Sequence, residues 1–252
     1  MKNTYTLGLV SVSFRAHSPR EVVEAAARAG LSVIEWGSDV HAPCNDLARL
    51  SEIASLQKAY GITCCSYGTY FRLGKTPLEE LEAHIAAAKI LGTDILRLWC
   101  GTKSGAEMTP EEVEALLATC RAAAGIAARH GVALCMECHR KSFTERPEDA
   151  VWLMEEVNSP AFRMYWQPFQ WQTVQENVEN AKSIAPYAKH VHVFHWKGEE
   201  KLPLSGAAEE WKRYLAVLPA PRTLLLEFMP NDGLEELAAE ARTLKMITEV
   251  VE

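Results

Sequence analysis

Gly30, Gly61 and Gly92 recur at a constant interval of 31 residues, and each closes a helical pattern just before a short apolar run: LSVIEW, ITCCSY and TDILRL. A glycine there accepts the left-handed backbone that ends a helix, so each interval reads as helix, stop, strand. The helix starts carry matching signals. Ser18-Pro19-Arg20-Glu21, Thr76-Pro77-Leu78-Glu79 and Thr109-Pro110-Glu111-Glu112 each set a hydroxyl at the cap, proline at the first helical position and glutamate three residues after the cap.

Beyond Gly131 the alternation continues. VALCMECH is followed by a helix from about Pro147 to Val157, FRMYWQP by a helix from about Glu176 to Pro186, and KHVHVFHWK by a helix around Ala207 to Leu218; TLLLEFMP and a last helix complete the chain. With LGLVSVSF at the start, eight strands and eight helices are expected. Alternation implies a parallel sheet, and eight short apolar strands imply closure. The expected fold class is therefore α/β, a (β/α)8 TIM barrel, and 252 residues match the roughly 250 typical of that fold. An open dinucleotide-binding sheet would place a glycine-rich loop after its first strand, where this chain has Ser13-Phe14-Arg15-Ala16-His17. No linker or low-complexity stretch divides residues 1–252, so one domain is expected.

The net charge of -7 argues against a partner with a phosphate backbone or an anionic membrane, and no run approaches the roughly 20 apolar residues of a membrane span. No cleavable signal pattern opens the chain, and a cytoplasmic location is expected. Seven cysteines, an odd number, suit a reducing compartment better than a disulfide framework. Cys135 and Cys138 form a C-x-x-C, but positions three apart on a strand point to opposite faces, which favours simple packing.

Chemistry in such barrels sits at the C-terminal ends of the strands. Those ends here carry Glu35, Tyr67, Arg97 with Trp99, Glu137 with His139, Gln167, His192 and Glu227. In Lys189 to Lys197, His190 and His192 share one face and Val191 and Val193 the other, so the imidazoles line the barrel while the valines meet a helix. Glu227 shares a face with Thr223 and Leu225, which puts a carboxylate on the inner side, where an unpaired charge costs several kcal/mol. Glu137 is placed likewise. Two carboxylates, the His192 imidazole and the Gln167 carboxamide on four consecutive strands make a site for one divalent cation.

VIEWGSDVHAP, CSYGTYFRLG, LRLWCG, MECH, YWQP, HVHVFHW and LLEFMP together resemble the sugar-phosphate isomerase/epimerase group with the xylose-isomerase-like barrel, over essentially the whole chain. The resemblance implies a metal held by Glu, Asp, His and Glu on strands five to eight. The matching positions are Glu137, Gln167, His192 and Glu227, with Gln167 in place of the aspartate and Gln170 where ketose epimerases carry a histidine. It also implies that Glu137 and Glu227 exchange a proton on opposite faces of the substrate, next to a carbonyl that the ion polarises. Manganese or magnesium suits mixed oxygen and nitrogen ligands best, with zinc and cobalt as alternatives.

Glu35, His41, Arg97, His139, His195 and Lys197 are the expected substrate contacts, with an internal ion pair in the barrel as the alternative for Glu35 and Arg97 and a solvated loop position for His41 and Lys197; Trp36, Trp99, Tyr67, Phe71, Trp166 and Trp196 are candidate walls or packing beneath the loops. The expected partner is a small carbohydrate, and a homo-oligomer is left open. Isomerisation or epimerisation of a free or phosphorylated ketose is the leading expectation. A lyase on a keto-polyol and a non-catalytic sugar-binding barrel are the alternatives. A nuclease is set aside, since a three-zinc cluster needs His and Asp where this chain has Tyr67, Gln167 and Gln170.

Overall fold

The computed structural model describes residues 4–251, and eight parallel strands in it close into a barrel. They are β1 (Thr6–Val10), β2 (Val33–Gly37), β3 (Thr63–Leu73), β4 (Ile95–Cys100), β5 (Ala133–Glu137), β6 (Phe162–Trp166), β7 (Ala188–Val193) and, after a hairpin of β8 (Trp196–Lys197) and β9 (Glu200–Lys201), β10 (Thr223–Leu226). Each barrel strand neighbours the one before it, and β10 closes the ring on β1 with Thr223 opposite Thr6. The outer layer is α1 (Pro19–Arg28), α2 (Leu47–Tyr60), α3 (Leu81–Leu91), α4 (Pro110–His130), α5 (Pro147–Val157), α6 (Val174–Ile184), α7 (Ala208–Val217) and α8 (Leu237–Val251). The (β/α)8 barrel of the repeat is the fold observed.

Alternation along the strands builds two cores. Val191 and Val193 of β7, with Leu224 and Leu226 of β10, pack outward among the helices, whereas Val10, Val33, Cys135, Tyr165 and Leu225 fill the interior. His190 and His192 project inward, as the period of two requires: the His190 ring meets Tyr165 edge-on at 5.1 Å, and its Nε2 donates to the Cys65 carbonyl. All seven cysteines are free, and Cys135 and Cys138 fall in the inner and outer core respectively.

Ser18 and Thr109 form their reciprocal caps with Glu21 and Glu112. The third expected cap does not form. Thr76 Oγ1 instead accepts from the Arg72 amide at 3.1 Å, closing the turn after β3, and a 3-10 turn at Leu78–Glu80 leads into α3. A box that sequence inspection passed over does form between Thr173 and Glu176, so α6 begins at Val174, two residues earlier than expected.

Two irregularities shape the mouth of the barrel. Gly68 of β3 lies where a Cβ would come within 2.7 Å of Glu35 Oε1 and 2.8 Å of Arg97 Nη2, so only glycine lets those side chains meet. Past Gly68 the register of β3 on β4 slips: Gly68 is opposite Arg97, but Arg72, not residue 70, is opposite Trp99. Bulges of this kind re-aim side chains near barrel rims. Among the described residues no helix is long and apolar enough to cross a membrane.

The Thr173 cap carries a stability prediction. Thr173→Ala removes the acceptor for the Glu176 amide and should cost about 1 kcal/mol in denaturant unfolding, while Thr173→Ser keeps it. An alanine variant as stable as the parent would show that the box contributes nothing.

Candidate metal centre

His192 sits near the end of β7, fully buried, and its Nδ1 is a meeting point. Gln167 Oε1 lies 3.0 Å from it, Glu227 Oε2 3.3 Å and Glu137 Oε1 3.5 Å. One ligand atom from each of Glu137, His192 and Glu227 lies within 4.8 Å of the other two. The four strand-end residues that the resemblance singled out are thus brought together. Gln167 is oriented by its own amide, whose Nε2 donates to the Cys138 carbonyl at 2.9 Å and turns the oxygen toward the imidazole. An aspartate has no donor for that carbonyl.

The two glutamates differ in their company. Glu137 Oε2 accepts from Arg97 Nη1 and from Trp99 Nε1, both at 2.6 Å. Glu227 Oε2 is buried and has no hydrogen-bond partner. A buried carboxylate whose nearest counter-charge is the His192 imidazole is expensive once that imidazole is neutral, and a cation among carboxylate, amide and imidazole donors would relieve it. The Glu137, His192 and Glu227 donors therefore fit a divalent ion, and the Gln167 oxygen beside His192 could join them.

Arg97 is the bridge beneath this cluster. Its Nε donates to Glu35 Oε1 at 2.7 Å, and Glu35 Oε2 accepts from Ser66 at 2.9 Å and Tyr165 at 2.7 Å. Glu35 in turn stands 3.8 Å from His192 Nε2, behind the ring. Burial by itself would raise the Glu35 and Glu137 carboxyls, but Arg97 and His192 outweigh it and hold both well below the usual carboxylate range. For Glu227 burial dominates, reinforced by the negative charge of Glu137, and the carboxyl is pushed up to about 7. His192 would be lowered by burial, yet Glu227, Glu137 and Glu35 together push it up to about 10.

Several expected substrate contacts lie elsewhere. Glu35 and Arg97 are sealed in the barrel, 0% and 3% exposed, because their charges are committed to each other and to Glu137. His41 is buried edge-on against Trp36 and donates through Nε2 to the His17 carbonyl, outside the cluster. His195 donates through Nδ1 to the Pro203 carbonyl and, with Gln170 and Lys197, lines a groove between α6 and α7 that includes none of the four donors. His139 remains beside the site, its ring 4.9 Å from Trp99.

Of the candidate walls, Trp36, Tyr67, Phe71 and Trp166 are buried in the outer core: Trp36 donates to Gln57, Tyr67 to the Ala42 carbonyl, and Trp166 packs on Trp211 and Tyr214. Trp99 and Trp196 are only partly buried, and Trp196 stacks on Phe228 at 4.5 Å. Sequence reasoning passed over Ser66 and Tyr165 as partners of Glu35, although Tyr165 shares the inward face of Gln167 by the period of two.

The family model described as xylose isomerase-like TIM barrel matches residues 23–218. No curated protein matches the chain. Among solved structures, a probable 3-DHS dehydratase involved in petrobactin synthesis from Bacillus anthracis is similar over 95% of this chain and 98% of its own, at 17% identity and a TM-score of 0.81. A D-psicose 3-epimerase from Clostridium cellulolyticum H10, solved with D-tagatose, is similar over 98% and 99%, at 14% identity and a TM-score of 0.71. A barrel protein from Mycobacterium smegmatis in complex with magnesium is similar over 99% and 98%, at 14% identity and a TM-score of 0.70. At these identities the likeness is one of fold.

Ion binding should depend on pH in a defined direction. Both His192 and Glu227 have folded values raised above their ordinary ones, so the protein without added ion draws stability from their protons at low pH and loses it as pH climbs through about 7 and then about 10. An ion must displace those protons, so its affinity should rise about tenfold per pH unit above 7 and more steeply below it. The manganese-induced gain in melting temperature should therefore grow from pH 6 to pH 9; a constant gain would sink the ligand set. At fixed pH, His192→Ala should abolish the gain and His195→Ala should keep it.

Proposed function

We propose that this chain, which belongs to the xylose isomerase-like TIM barrel family, is a metal-dependent isomerase or epimerase of a ketose or ketose derivative, with Glu227 as the base that removes a proton next to the carbonyl. One observation carries the reading: the Glu227 carboxylate is buried, with His192 Nδ1 at 3.3 Å from an Oε2 that accepts no hydrogen bond, and it lies beside His192 and Glu137 at the barrel mouth. With an ion bound the Glu227 carboxyl would be ionised, the form a general base requires. A divalent ion held by the four donors would supply Lewis-acid stabilisation of the negative charge that develops on the substrate oxygen.

The chain's own residues divide the remaining work. Gln167 and His192 are fixed by the Cys138 carbonyl and by the carboxylates around Nδ1 and Nε2, so the mouth needs little rearrangement to accept a ligand. Arg97 and Trp99 hold Glu137 in one orientation. The barrel floor below, filled by Val10, Val33, Leu225 and Tyr165, keeps water away from the buried side of the site.

A second reading, a lyase that eliminates water from a keto-polyol, is favoured by the same clamp on Glu137. Exchange on both faces of a substrate asks two carboxylates to carry protons, and Glu137 Oε2 is already committed to two donors at 2.6 Å. Elimination asks for one base and a separate acid, and His139 beside Trp99 is placed to be that acid.

Turnover in heavy water with manganese-saturated protein separates the two. Isomerisation or epimerisation returns deuterium to the sugar carbon, whereas elimination produces an ultraviolet-absorbing unsaturated ketone. Glu227→Gln should lower either activity by about 10² to 10⁴-fold even with excess ion. Full rescue by excess ion would make Glu227 a ligand only, and no exchange or elimination with any ketose or keto-polyol would favour the binding-barrel alternative.

A further inference from the structure

We infer that the substrate carries an oxyanion, a carboxylate or a phosphate, and that Arg72 is the group that receives it. The inference rests on the metal-site reading above and names the class of ligand for that site. Its starting point is the slip of β3 on β4, which sets Arg72 opposite Trp99. The guanidinium carbon lies 4.3 Å from the centre of the Trp99 ring, and the edge of that ring donates to Glu137 Oε2. One indole therefore separates Arg72 from the proposed ligands.

The charge of Arg72 is unanswered. Among the described residues several cations around the mouth are matched: Arg97 with Glu35 and Glu137, Arg15 with Asp39, Lys103 with Glu112, Lys201 with Asp232. Arg72 is half-buried and pairs with no carboxylate. Only its Nη1 is engaged, by the Gly101 carbonyl at 3.0 Å and the Lys141 carbonyl at 3.4 Å, which fixes the plane of the fork and leaves Nε and Nη2 without partners. Burial opposes its charge, and the anion that offsets this, Glu137, is already held by Arg97.

A fork held by one arm with the other arm free is suited to bidentate capture of a carboxylate or phosphate. Arg140, over the exposed Trp171 ring at 5.6 Å, adds a second cation on the same loop that carries His139. A rim of unmatched positive charge on a chain of net charge -7 is a local feature, and it would steer a small anion toward the ion site. A neutral sugar gains nothing from it.

The test reads binding, so it does not depend on turnover. Manganese-loaded protein is titrated calorimetrically with three five-carbon probes: ribulose, ribulose 5-phosphate and ribonate. One of the two anions should bind at least tenfold more tightly than ribulose, and which one does identifies the oxyanion. Arg72→Met should weaken that anion by about tenfold to a hundredfold and leave ribulose unchanged, with Arg72→Lys restoring part of the loss. Added potassium chloride should weaken the anion and not ribulose. Equal binding of all three probes, or an equal loss of all three in an Arg72→Met variant that still melts cooperatively, would overturn the inference. If that variant fails to fold, the Arg72→Lys and salt comparisons decide. Absent turnover with an intact, Arg72-dependent anion preference would count against the proposed reaction and not against this ligand class.

Discussion

The structure depends on the Arg97 guanidinium being buried between two carboxylates. Glu35, Arg97 and Glu137 are at most 4% exposed, and removing Arg97 would strand both carboxylates in the barrel at a cost of about 3 to 5 kcal/mol. The surrounding sequence accommodates them. Gly68 gives the space, Ser66 and Tyr165 satisfy the second oxygen of Glu35, and Trp99 shares Glu137 with the arginine. The triad carries a net charge of minus one, and Glu227 adds another carboxylate a few ångströms away. Negative charge concentrated where water is scarce is the physical reason this mouth suits a cation. In the protein alone, the raised imidazole of His192 answers it.

Gln167 belongs to the same balance. A carboxylate at that position would face Glu137, Glu227 and Glu35 with only Arg97 and His192 opposing, and would set an acceptor against the Cys138 carbonyl. The amide avoids both, since its nitrogen donates to that carbonyl and its oxygen turns to His192 without adding charge. In the proposed site a neutral donor would leave two carboxylates to match a divalent ion, and would preserve more of the ion's ability to polarise a substrate than three would.

How much of this was legible in the chain varies with the range of the interactions. The barrel was, because glycine stops, caps and alternating apolar runs are local signals; Gly61 and Gly92 do adopt the left-handed conformation their spacing implied. The convergence of Glu137, Gln167, His192 and Glu227 was legible too, since period two and the common end of the strands place them. What was not legible depends on pairing across the barrel. Glu35 and Arg97 are 62 positions apart, and their strand-end places allow an internal ion pair as readily as contact with a ligand, so the pairing across the barrel had to be seen. The Thr76 motif reads as a cap, yet its hydroxyl is taken by Arg72. The slip of β3 that brings Arg72 opposite Trp99 leaves no trace in an alternation pattern, because a bulge breaks the very period being read.

The two glutamates show why a shared barrel does not choose a reaction. Sequence places Glu137 and Glu227 symmetrically, each at a strand end and each facing inward, and symmetry suggests two bases on opposite faces of a substrate. Their environments are unequal. Two donors at 2.6 Å stabilise the charged form of Glu137 and fix its direction, which in the proposed site would favour ligation over proton transfer. Glu227 has burial and no hydrogen bond to Oε2, only the His192 imidazole at 3.3 Å, and its carboxyl is raised in consequence. Solved barrels of this shape include an epimerase and a probable dehydratase at similarly low identity, so the backbone is compatible with both. The inequality between the two glutamates is built by Arg97, two residues before Trp99 on the same strand, reaching across to β5 to engage Glu137 and not Glu227.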